Sequence, residues 1–138
     1  MNIAYPYAVS LEEDGVYFVQ FRDLEEAFTQ GASLEEAAFN AAEVLTGILA
    51  YRLDHNQEIP APSAAQPGER LATPGVEVQS ALLLRQARAG RSLSDLANAM
   101  QTSWPAVQRL ENPHHWPTLK QLDKAARALG KRLVLSLE

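Results

Sequence analysis

Cysteine is missing from the 138 residues, so the chain has no disulfide, no thiolate metal site and no cysteine nucleophile. Long apolar runs are missing too. No stretch approaches the length that spans a bilayer, and the opening MNIAYPYAVSLEEDG carries no basic segment followed by an apolar core of the signal-peptide kind. A cytoplasmic location is therefore expected, with no membrane partner. Histidine is scarce: His114 and His115 are adjacent and His55 is far away, which is not the spaced ligand set that zinc requires. Positive charge is scarce in one part of the chain only. Residues 1–76 hold three bases (Arg22, Arg52, Arg70) against twelve acids, a net −9, whereas residues 77–138 hold nine bases against five acids, a net +4. An acidic module calls for a basic partner, and a basic one for nucleic acid.

What is present reads as an α+β chain. Ile3–Leu11 alternates loosely, Glu12–Gly15 is a turn, and Val16–Phe21 is rich in β-branched and aromatic residues, which predicts a hairpin. Ala27–Gln30 is a short third strand. Ser33 with Glu36 has the spacing of a capping box, and Leu34, Ala38, Ala41, Leu45, Ile48 and Leu49 then recur by threes and fours, so a long helix covers a small antiparallel sheet. Pro60, Pro62, Pro67 and Pro74 prevent a continuous helix after it. The expected division is a first domain at 1–63, a linker at 64–76 with Glu69–Ala72 as a possible edge strand, and a second domain at 77–138.

The second domain is expected to be helical with a terminal strand. Its centre is SLSDLANAMQTSWPAVQRLEN, where Ser92 caps a helix carrying Leu93, Leu96, Ala97 and Met100, and Ser103 caps another carrying Val107 and Leu110. That is a helix-turn-helix pattern. The exposed residues of its second helix would be Ser103, Trp104, Gln108 and Arg109; Arg can pair with guanine and Gln with adenine, so these four are the candidate DNA-binding residues. Trp104 can either stack on the DNA backbone or pack between helices, Trp116 is expected in the core, and Glu111 is expected to hold the helices together. Thr118 with Gln121 starts a further helix ending near Gly130. Leu133, Val134, Leu135 and Leu137, within Lys131–Leu137, read as a strand that would pair with a second copy and make a homodimer or higher oligomer.

With DGVYFVQF, DLEEAFTQGASLEEAAFNAAEVL and EIPAPS in the first domain, and RSLSDLANAMQTSWPAVQRLENPHHWPTLKQLDKAARALGKRLVLSL in the second, the chain resembles the HicB antitoxins of type II toxin-antitoxin systems, in the branch that carries an Xre-like helix-turn-helix module. The resemblance implies a partial ribonuclease-H-like first domain that binds a HicA-type toxin protein, a small basic ribonuclease, and blocks its action on mRNA. It further implies repression of the operon through operator DNA. Neither motif is catalytic, and the toxin-contacting residues are not legible. Two rival readings are a transcription factor with a ligand-sensing first domain and a nuclease using carboxylates such as Asp14, Asp23 and Asp54. The acids at Glu12–Asp14 and Glu35–Glu36 are already explained by a turn and a helix N-terminus, so no catalytic residues, metal ligands or cofactors are assigned.

Overall fold

Strands β1 (Tyr5–Leu11) and β2 (Tyr17–Phe21) form an antiparallel hairpin in the computed structural model, which describes residues 1–138. The N–H of Glu12 donates to the carbonyl of Val16 at 2.8 Å, and the Asp14 carboxylate accepts from the N–H of Val16 at 3.0 Å. Gly15 completes the turn at φ 82°, a conformation that an L side chain resists. Strand β3 (Phe28–Gly31) pairs with β2 and β4 (Arg70–Ala72) with β1, both antiparallel, giving the order β3-β2-β1-β4.

Because side chains alternate across a strand, the register Tyr7↔Phe21 and Val9↔Val19 gathers Tyr5, Tyr7, Val19 and Phe21 on one buried face. Helix α1 (Leu34–Asp54) covers it. Ser33 starts the helix by accepting the N–H of Glu36 at 3.1 Å, with Glu35 and Glu36 in the first turn where the backbone dipole favours negative charge. The buried stripe is Ala37, Ala41, Leu45 and Leu49, a strict step of four. Leu34 is exposed and Ala38 and Ile48 lie on the flanks, so the stripe is rotated from the one the hydrophobic pattern predicts. The first turn of the helix approaches the sheet closely on this side: a Cβ on Gly31 would sit 2.4 Å from the backbone nitrogen of Ala37, so glycine is required there.

The proline-rich segment is fastened to this sheet. The buried Tyr5 hydroxyl donates to the carbonyl of Pro60 at 2.7 Å, Ser63 bonds Asp23 through both its N–H and its hydroxyl, and Arg22 donates to the carbonyl of Ala64 at 2.6 Å and pairs with Glu69 at 2.9 Å. These ties deliver β4 to the edge of β1. Residues 64–76, expected as a linker, thus fall inside the first of two compact units, Met1–Gln79 and Ser80–Glu138.

Helix α2 (Val76–Arg88) carries the chain into the second unit. It ends at Ala89, which is left-handed at φ 51°, followed by Gly90. Helices α3 (Leu93–Met100), α4 (Trp104–Leu110) and α5 (Leu119–Ala128) follow. Each is started by a hydroxyl accepting a backbone N–H three residues on: Ser92 from Asp95, Ser103 from Ala106, Thr118 from Gln121. The Gln121 side chain also accepts from the N–H of Thr118, completing a reciprocal box. Leu84, Leu96, Ala97, Met100, Val107, Leu110, Ala125 and Leu129 form the core.

One expectation fails here: Trp116 is 66% exposed, because it sits in the loop between Pro113 and Pro117 while α3, α4 and α5 fill the core without it. The segment Lys131–Leu137, expected as a terminal strand, forms no regular element in the single chain, where the helical second unit supplies no ladder partner.

Candidate nucleic-acid interface

Helix α4 is set by its turn. Gln101 ends α3 in the left-handed conformation, φ 54° and ψ 47°, with its N–H directed to the carbonyls of Ala97 and Asn98, and the N–H of Thr102 reaches the carbonyl of Ala97 at 3.0 Å. Ser103 then opens α4 in an extended conformation, and Pro105 occupies the first turn, where a missing N–H costs nothing.

At 3.6 residues per turn, burying Val107 and Leu110 turns the opposite arc outward. Trp104, Gln108 and Arg109 lie on that arc and are exposed, Trp104 at 44%. Ser103 stands at its start; its Oγ accepts the N–H of Ala106 at 3.3 Å, which leaves the hydroxyl hydrogen as a free donor type. All four candidate residues are solvent-exposed. The arc offers a planar cation, a carboxamide, a hydroxyl and an indole, which is hydrogen-bonding chemistry suited to base edges and phosphates.

Glu111 closes the helix without adding negative charge to this surface. It forms a two-pronged ion pair with Arg88 of α2, at 2.7 and 3.0 Å, and both side chains are largely buried. The carboxylate pushes the Arg88 guanidinium above its ordinary pKa. Beside α4, Met100, Thr102, Ala106, Leu110, Gln121 and Lys124 line a shallow groove. Sequence spacing does not show that grouping, since Thr102 lies in the turn between α3 and α4, Lys124 lies on α5, and only the packing of α5 unites them. On the C-terminal segment, Leu133 is half-buried, whereas Val134, Leu135 and Leu137 are exposed, Val134 at 70%.

In the first unit several carboxylates are committed singly to structural partners. Arg52 holds Glu26 below the usual carboxylate range through a 2.8 Å ion pair, and Arg22 does the same for Glu69. Asp23 is engaged by Ser63. Burial pushes the Tyr5 phenol up to about 12 and keeps it neutral as a donor to Pro60. Glu25 sits in a turn closed by the N–H of Ala27 on the carbonyl of Leu24 at 3.0 Å.

Residues 4–78 match the family described as HicB_like antitoxin of bacterial toxin-antitoxin system. Antitoxin HicB 1 of Photorhabdus laumondii subsp. laumondii is 32% identical over 99% of this chain and 88% of its own length. Antitoxin HicB of Escherichia coli (strain K12) is 31% identical over 95% of this chain and 96% of its own. The crystal structure of the N-terminal domain of Burkholderia pseudomallei antitoxin HicB is similar at a TM-score of 0.44 and 21% identity, covering 52% of this chain and 95% of that one.

Proposed function

From the premise that the chain belongs to the HicB-like antitoxin family of bacterial toxin-antitoxin systems, we propose that its first unit binds and neutralises a HicA-type ribonuclease toxin and its second represses the operon by binding operator DNA. The named relatives are antitoxins and not enzymes, and the chain has no enzymatic role in this reading. It works in the cytoplasm, where mRNA and operator lie; no helix is long and apolar enough to cross a membrane. The second unit is an Xre-like helix-turn-helix module, with α3 as the supporting helix, α4 as the recognition helix and Ser103, Trp104, Gln108 and Arg109 as the reading set.

The observation that supports the DNA half best is the exposed arc of α4, opposite a fully occupied apolar side. The charge contrast between residues 1–76 and 77–138 supports the division of labour. A homodimer follows from reach, because one recognition helix reads only a few base pairs and two half-sites need two copies. Leu133, Val134, Leu135 and Leu137 are the proposed seam: a second copy would give the C-terminal segment the ladder partner that one chain lacks.

Co-expression of the full chain with a HicA-type toxin from the same operon tests the first half: restored growth is expected, and continued toxicity with soluble chain present, or an operon that encodes no such toxin, would reject it. For the second half, gel shifts on the chain's own promoter should show tighter binding than on random DNA. Removing Lys131–Glu138 should abolish the dimer in light scattering; a truncated chain that stays dimeric would sink the seam.

A further inference from the structure

We propose that the outward ridge of α1 is the surface on which the first unit receives its cationic toxin, with Gly47 as the point of closest approach; this rests on the antitoxin reading above. Opposite the buried line Ala37, Ala41, Leu45 and Leu49 run Glu36, Phe39, Glu43, Gly47, Tyr51 and Asp54, all exposed and spaced by threes and fours. They form one line about 27 Å long at ~1.5 Å rise per residue.

Three features of this line point outward. Phe39 is 67% and Tyr51 53% exposed, and neither belongs to the core of the unit. Exposed aromatics of this kind are what protein interfaces use as anchors. Glu36, Glu43 and Asp54 make the ridge acidic; Arg52 lies on the flank in its ion pair with Glu26, and His55 stacks on the Tyr51 ring at the C-terminal end of the line.

Gly47 is the third feature. It stands deep inside a 21-residue helix, where glycine lowers helix stability relative to alanine, and it has no left-handed φ to justify it. A Cβ added there would meet nothing within 4 Å, so no contact inside the chain requires its absence either. What the missing side chain does create is a notch one turn above Glu43 and one turn below Tyr51, into which a partner's backbone or side chain can be brought against the helix. The rival apolar surface of this unit is the strand face bearing Phe18, Phe28 and Leu71. The remaining strand residues of that face are Pro6, Ala8, Ser10, Gln20 and Gln30, none of them charged, so it offers a cation no complement.

The test uses the full chain with the HicA-type toxin of the proposed function as the probe, titrated calorimetrically, and a thermal melt of each variant alone. Gly47→Ala and Gly47→Gln should melt a few degrees above wild type, yet Gly47→Gln should bind the toxin at least tenfold more weakly. Phe39→Ala should lose about tenfold in affinity with its melt unchanged, and Phe28→Ala should bind as wild type does. A more stable variant that binds worse is a combination that a purely structural role for Gly47 would not produce. Wild-type affinity in both Gly47→Gln and Phe39→Ala, or a loss confined to Phe28→Ala, overturns the ridge while leaving the antitoxin reading intact. A wild-type chain that does not bind the toxin overturns both.

Discussion

In residues 1–79 the hydrogen bonds that close the fold join Tyr5 to Pro60 and Asp23 to Ser63, and β1 finds its outer partner at Arg70–Ala72. In residues 80–138 each of α3, α4 and α5 is started by a hydroxyl three residues from the N–H it accepts. One unit is assembled across long sequence distances, and the other from short instructions stacked on one apolar core. Closing a long loop costs chain entropy before any contact repays it, whereas a capped helix carries its own start signal. The first unit should therefore depend on distant segments being present, and the second should tolerate the loss of any one local device.

Cutting the chain is the most severe way to break this contrast. A fragment ending at Ser63 lacks β4 and the Arg22–Glu69 pair, leaving the edge of β1 bare. It should be unfolded or aggregated by circular dichroism and size exclusion, while a fragment ending at Gln79 should be folded and should bind the toxin. Equal behaviour of the two fragments would show that β4 is dispensable.

The same separation predicts that damage to the arc of α4 stays in the second unit. Gln108→Ala and Arg109→Ala should each cost about 1 to 3 kcal/mol of operator binding and leave toxin neutralisation untouched. Gel-shift titration against promoter and random DNA decides between base reading and phosphate contact: equal loss on both sequences would reassign the residues to phosphate. A smaller effect is expected at a cap. Thr118→Ala should destabilise the second unit by about 1 kcal/mol, seen as a lower second transition in calorimetry with the first unmoved.

Acid should produce the gentlest sharpening of the contrast. Glu26 and Glu69 have folded pKa values below the ordinary 4.5, so their ion pairs stabilise the first unit fully above that pH and are lost as pH falls through the lower folded values. The first transition should therefore drop below about pH 4.5. Replacing Arg22 by Gln should make the drop shallower, and an unchanged slope would deny Glu69 its part.

This difference between units also governs what could be read in advance. Ser33, Ser92, Ser103 and Thr118 announce their helices because a cap is a local event, and the exposed arc of α4 is legible because Val107 and Leu110 fix the opposite side. The fastening of the proline-rich segment through Pro60 and Ser63 was not legible, since nothing near either residue names a partner 55 or 40 positions away. The rotation of α1 is not legible because apolar residues lie around much of the helix, and the close approach of Gly31 to the backbone of Ala37 is a tertiary contact. Residue type alone predicts Trp116 in the core, and its place in the loop prevails. The groove beside α4 needed α5 in place before Lys124 could join Thr102.

Ala89 holds a left-handed backbone at the end of α2, with Gly90 one position too late to relieve it. An L side chain there costs about 1 kcal/mol or somewhat more relative to glycine, which corresponds to roughly fivefold in the equilibrium between closed and opened chain. A protease that cuts only the opened chain, and cuts it more slowly than it recloses, samples that equilibrium directly. Ala89→Gly should then lengthen the half-life of the second unit under limited proteolysis by about fivefold. The wild-type residue thus sets a shorter lifetime for the protein than its fold would allow.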